Sequence, residues 1–186
     1  TGVQTCALPI FVRALLFVPK GRQTAPALDV SVNEKRAVED FQAMIRCRTI
    51  SYEDSSLKDE SEFEKFRALL DERYPVIAKH CEKRFIAPAG VIYHWRGNGG
   101  DTPWVLMSHY DVVPVEDAMW AEEPFSAVIK DGEIWGRGTV DTKSTLLGVM
   151  EAAETLMEQG FKPVNDIYLC FGGDEELSGA SAQAMV

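Results

Sequence analysis

The chain has 186 residues, 46% of them hydrophobic, and a formal charge of −10 from 29 acidic and 19 basic side chains. That length suits one domain, or one domain with a tail, and the apolar fraction is enough to bury a core. The acidic balance argues against nucleic acid or an anionic membrane as partner, because a phosphate-binding surface needs clustered Lys and Arg. Cys6, Cys47, Cys81 and Cys170 form no CxxC pair, so neither a disulfide framework nor a thiolate zinc site is signalled.

Residues 1–10, TGVQTCALPI, look like the translation of a common sequencing-adapter oligonucleotide and stand apart from the fold. The apolar run at 11–18 is far short of the ~20 residues a membrane span needs. It reads either as the stump of a signal or anchor helix or as a loose tail, which leaves an exported or anchored location open beside a cytoplasmic one. With a linker of small residues around Pro26, residues 1–29 make a tail and 30–186 the folded part.

Ser31-Val32-Asn33-Glu34 fits a capping box that opens a helix with Val38, Phe41 and Ile45 on its inner face. Residues 51–61 are polar and read as a loop. A second helix follows with Phe63, Phe66 and Leu70 on one stripe, and Pro75 ends or kinks it. From Phe85 onward, short apolar runs at 91–95, 104–108, 127–130 and 167–171 read as strands. Asn98-Gly99-Gly100-Asp101 marks a hairpin-like turn between the first two runs, and Lys130-Asp131-Gly132-Glu133 another before Ile134-Trp135. Between the last two runs, Leu146, Val149, Ala153 and Leu156 lie at helical spacing, closed by Gly160 and Pro163. Strand, helix, strand predicts a parallel crossover. The fold class is therefore α/β, a mixed, largely parallel sheet flanked by helices, with its ligands on strand-end loops.

Three motifs carry chemistry, each placed where an apolar run ends. In Ser108-His109-Tyr110-Asp111 the two-residue spacing puts His109 and Asp111 on one side of an extended segment. One can then ligate a metal while the other supports it, since a ligating imidazole commonly donates its second ring nitrogen to a carboxylate. The same letters also describe a strand-end histidine before a turn-forming Asp. In Gly136-Arg137-Gly138-Thr139-Val140-Asp141 the acid opens a helix, and a simple N-cap is the alternative to a ligand. The spacing of a phosphate loop is absent there. Asp174-Glu175-Glu176 follow Gly173 directly after the last run, and three adjacent carboxylates at a strand end are costly without a nearby cation. One of them can ligate metal while its neighbour serves as a general base. His80 and His94 read as surface residues.

In order and in kind these residues resemble the zinc-dependent exopeptidase and deacylase family of carboxypeptidase G, aminoacylase, acetylornithine deacetylase, succinyl-diaminopimelate desuccinylase and carboxypeptidase S. The resemblance runs from about Val38 to the end. Its most specific stretches are 108–115, Trp120 with Pro124-Phe125, 132–141 and 173–176. Thr49-Ile50-Ser51-Tyr52, Arg73-Tyr74-Pro75 and Trp95-Arg96-Gly97 are most similar to the carboxypeptidase S branch.

The resemblance implies that residues 30–186 are the N-terminal part of a zinc-exopeptidase catalytic domain. It implies two zinc ions, with cobalt or manganese as substitutes, held by His109, by Asp141 as the bridge and by Glu176. Asp111 would orient His109, Glu175 would be the general base, and the Asp141-Thr142 peptide would be cis. The substrate would be a peptide or an N-acyl amino acid. Thr142 and Ser144 depart from the branch, which has Asp and Gly there. A further acid ligand, a distal histidine and an inserted lid domain through which relatives dimerise are not among these residues, so the expectation is a fragment that is inactive alone. A non-catalytic binding relative that keeps the fold and has lost the metal is the alternative.

Overall fold

The computed structural model describes residues 12–17, 31–116, 119–177 and 179–186. The chain divides into two units, Thr1–Val32 and Asn33–Val186. Of the first, residues 12–15 form one helical turn. The adapter-like stretch and the linker lie outside the described residues. No helix among the described residues is long and apolar enough to cross a membrane.

The second unit contains helices α1 (Glu34–Ile45), α2 (Glu60–Arg73), α3 (Pro75–His80), α4 (Lys143–Glu158) and α5 (Ala180–Met185). Its strands are β1 (Glu82–Ile86), β2 (Gly90–Trp95), β3 (Trp104–His109), β4 (Ile129–Lys130), β5 (Glu133–Ile134) and β6 (Ile167–Gly172). Asn33, not Ser31, caps α1: its side chain accepts the Arg36 amide at 3.1 Å, because the helix begins two residues later than a box on Ser31 requires. Asp40, Met44 and Ile45 are the buried residues of that helix, while Val38 is exposed. The stretch read as a loop holds a short 3-10 turn, Ser55–Leu57, and Asp59 then caps α2. Phe63, Phe66 and Leu70 are fully buried, as their spacing predicted. Pro75 ends α2 and also opens α3 from its first position, where a missing N–H costs nothing.

The main sheet has the order β1-β2-β6-β3. It is mixed and flanked by helices, as predicted. One of its three pairings, β3 with β6, is parallel, and the other two are antiparallel. The parallel share is smaller than expected because β1, whose Glu82-Lys83-Arg84 shows no apolar run, adds an antiparallel strand. The crossover also differs from the sequence reading. α4 connects β3 to β6, whereas β4 pairs only with β5 in a separate two-stranded ribbon. Asn98–Asp101 does not make a hairpin of β2 and β3, since β6 lies between them. Its amides are instead tied to the segment before β6, with Asn98 N–H donating to Pro163 O at 3.0 Å and Gly100 N–H to Val164 O at 2.9 Å. β3 forms the sheet edge, and its Trp104, Val105, Leu106 and Met107 are exposed.

The core lies between the helices and the inner strands, with Phe66, Leu70, Tyr93, Leu146, Met150 and Phe171 all fully buried. One buried acid organises it. Glu154 of α4 is 1% exposed, and its carboxylate accepts the amides of Val76 at 2.9 Å and Ile77 at 2.8 Å. α3 has no side-chain cap of its own, so its first turn takes its acceptor from another helix. Replacing Glu154 by Ala leaves two amides without partners and is expected to destabilise the chain by about 2 kcal/mol or more. Glu154→Gln, which keeps one acceptor oxygen, is expected to cost less; urea midpoints at constant m check both.

Candidate metal centre

Parallel strands end on the same side of a sheet, and the register His109↔Gly172 aligns the ends of β3 and β6. The ladder runs one residue further, with Tyr110 N–H donating to Gly172 O at 2.9 Å. Tyr110 is buried, stacked on Phe66 at 4.8 Å between ring centroids, and its hydroxyl donates to Ala89 O at 2.7 Å. The turn after β6 crosses this ring at Gly173, where a Cβ would lie 2.5 Å from Tyr110 Cζ and 2.9 Å from Ala89 O. Only glycine permits that approach, and it brings Asp174, Glu175 and Glu176 over the end of β3.

Asp111 is fully buried and takes donors on both oxygens. Oδ1 accepts the Glu175 amide at 3.1 Å and lies 3.3 Å from His109 Nδ1. Oδ2 accepts Ser51 Oγ–H at 2.7 Å and the Glu176 amide at 3.1 Å. Burial alone would push the Asp111 carboxyl up, yet the bonds from His109, Ser51 and the Glu176 amide hold it below its ordinary value. On His109 burial disfavours the charged ring. The Asp111 carboxylate and carbonyl and the nearby Glu175 outweigh that and raise it to about 9. With Nδ1 facing Asp111, Nε2 is left 3.1 Å from Asp141 Oδ1 and 3.5 Å from Glu175 Oε2.

Asp141 is largely exposed and joins Thr142 through a cis peptide. It does not cap α4: the N-cap is Thr142, which makes no side-chain cap bond, so the Asp141 carboxylate is free to face His109. The first turn of α4 is fixed by Lys143, whose fully buried ammonium donates to Met44 O at 3.0 Å and Cys47 O at 2.8 Å at the end of α1. Cations suit the carbonyl end of a helix, while burial pulls the Lys143 amine down to about 7.

The three consecutive acids divide. Asp174 accepts the Ser181 amide in the first turn of α5 at 3.0 Å and is not among the converging ligand atoms. Glu175 stands beside His109. Burial and then the Asp141 charge push the Glu176 carboxyl up. Ligand atoms of His109, Asp141 and Glu176 all lie within 4.8 Å of one another. An imidazole with two converging carboxylates is a donor set that suits zinc and neighbouring divalent metals. Among the described residues, no Lys or Arg pairs with Asp141, Glu175 or Glu176, so the converging acids fit a bound cation.

The structure thus brings together His109, Asp111, Asp141, Glu175 and Glu176. It leaves out His80, which is exposed, and His94, which is not the surface residue expected: it is 6% exposed, stacks on Tyr168 at 4.3 Å and lies 2.6 Å from Asp166 Oδ2 through Nε2. Its neighbours on alternating positions of an apolar strand were the available signal. Ser51 and Lys143 went unassigned in the sequence, since a lone hydroxyl and a lone amine carry no spacing that marks them.

Comparison with known proteins identifies relatives of the chain. Residues 105–186 match the model of peptidase family M20/M25/M40. A probable carboxypeptidase S-like 1 of Dictyostelium discoideum is 36% identical over 149 residues, covering 78% of this chain and 30% of that protein. An N-fatty-acyl-amino acid synthase/hydrolase of Xenopus tropicalis is 30% identical over 148 residues, covering 78% of this chain and 29% of that one. The crystal structure of human carnosine dipeptidase 1 shares the fold with a TM-score of 0.68 at 14% identity, over 82% of this chain and 35% of that one. The chain spans about a third or less of each. With His109, Asp141 and the Glu175–Glu176 pair gathered at one sheet edge inside the matched stretch, the chain belongs to peptidase family M20/M25/M40.

Proposed function

We propose that the protein to which these residues belong hydrolyses an amide bond, as a carboxypeptidase or an N-acyl-amino-acid hydrolase. The observation that carries the reading is the convergence of His109, Asp141 and Glu176 ligand atoms within 4.8 Å, with Glu175 beside them. Two zinc ions would be held with Asp141 between them, His109 on one and Glu176 on the other; cobalt or manganese suits the same donors. Bound there, the metals would polarise the scissile carbonyl and lower the pKa of water.

The chain's own residues do the rest. Asp111 keeps a proton on His109 Nδ1 and so presents the Nε2 lone pair to the metal. Glu175 is the base that accepts a proton from the attacking water and returns one to the leaving amine. Its main chain is fastened to Asp111 while its side chain stays exposed, so the base is placed by its backbone and free to move at its carboxylate. Among the described residues each ion finds two protein ligands, fewer than a closed site needs, so these residues alone are expected to turn over little substrate. The same reading gives dimerisation to an inserted lid domain.

In the whole protein, Glu175→Gln is expected to lower kcat for a peptide or N-acyl amino acid by about 100-fold or more while zinc content is kept. An unchanged kcat removes Glu175 as base. Glu176→Ala is expected to lower the zinc content measured by metal analysis, and a wild type that holds no metal contradicts the hydrolase reading. Zinc binding to His109 must displace a proton, because the ring is held at about 9, above its ordinary value. The sign follows: near neutral pH binding releases protons, and affinity climbs with pH until it passes that value. Calorimetry in buffers of different ionisation enthalpy reads the released protons directly.

A further inference from the structure

The stretch Thr49-Ile50-Ser51 is bound side by side with Tyr110-Asp111-Val112. Val112 N–H donates to Thr49 O at 2.9 Å, Ser51 N–H donates to Val112 O at 2.9 Å, and Ile50 and Val112 form a parallel bridge. The Thr49 hydroxyl adds a bond to Tyr110 O. Ser51 is therefore held through its backbone to Val112, the neighbour of the residue that its side chain faces. It is 3% exposed, and its hydroxyl donates to Asp111 Oδ2 at 2.7 Å, the shortest of the Asp111 contacts.

The Asp111 carboxylate can rotate about its terminal torsion, whose preference is broad and two-fold. Its other donors are a ring and two amides, and those are the groups it positions: His109, Glu175 and Glu176. A positioned group cannot also be the reference for its own position. The remaining donor, Ser51, belongs to none of the three chemistry-bearing segments, and its backbone is tied to Val112, beside Asp111 itself, rather than to His109, Glu175 or Glu176.

We propose that Ser51 is a positioning residue: its hydroxyl sets the plane of the Asp111 carboxylate, which in turn holds the His109 ring and the Glu175–Glu176 main chain. Its consequence for metal rests on the reading of His109 as a ligand, whereas the hold on the two amides does not. Without the hydroxyl, Oδ2 keeps one donor, the carboxylate turns towards the amides, and the imidazole loses the partner that fixes its tautomer.

The test compares Ser51→Ala and Ser51→Thr with the unchanged chain, by amide hydrogen exchange without metal and by zinc titration. In Ser51→Ala the amides of Glu175 and Glu176 are expected to exchange about tenfold faster, with Leu169 in the sheet unchanged, and zinc affinity to fall by about 10- to 100-fold. Ser51→Thr, which keeps a hydroxyl, is expected to restore both. Unchanged exchange at Glu175 and Glu176 in Ser51→Ala overturns the proposal, as does a uniform acceleration across the sheet that Ser51→Thr fails to reverse. Faster exchange confined to Glu175 and Glu176, with no zinc bound by any form, supports the hold on Asp111 and defeats the metal reading.

Discussion

A carboxylate with no exposure to solvent is tolerable only when donors surround it, and the centre is built around that constraint at Asp111. The donors are an imidazole, a hydroxyl and two amides. They arrive from three stretches: the last residue of β3, the segment before α2, and, for both amides, the turn after β6. Satisfying one buried charge therefore fixes the mutual positions of the residues that would hold metal and move protons. The ion pair with His109 does not compete with that arrangement, because the second ring nitrogen is left pointing at Asp141 and Glu175.

The sheet supplies the other half of the construction. Because β3 and β6 run parallel and in register, both deliver their chemical residues at the same edge. The antiparallel partner β2 lies behind β6 and contributes packing, with Tyr93 and Val91 in the core. Close approach at Gly173 and the stacked Tyr110 then set how far the acidic turn sits above the strand. Asp141 enters independently, from a loop whose position depends on Lys143 gripping the end of α1. Nothing in this scheme rests on the strand or helix propensity of the site residues.

What could be read from the sequence was local. His109, Asp141, Glu175 and Glu176 follow apolar runs or open an amphipathic helix, so their chemistry and setting were both visible within a few residues. The buried stripe of α2 and the tight turn at Asp131-Gly132 were legible for the same reason. Groups whose partners lie far along the chain were not. Ser51 meets Asp111 across 60 residues, Glu154 meets Ile77 across 77, and Lys143 meets Cys47 across 96. No periodicity encodes such meetings. β1 was hidden by its charge, since Glu82, Lys83 and Arg84 lie on an edge strand and stay exposed. The crossover was assigned to the wrong strand because a run of apolar residues at 127–130 looks the same in a two-stranded ribbon as in a sheet.

The exposed edge of β3 bears on the centre in one more way. Trp104, Val105, Leu106 and Met107 stand in solvent there, and a strand edge so apolar is a template for another strand. Laid parallel to β3, such a strand would run in the same direction as β3 and β6 and would finish level with His109. Whatever residue followed it would emerge at the same end of the sheet as His109. Burial of the apolar edge would supply the driving force for such an addition.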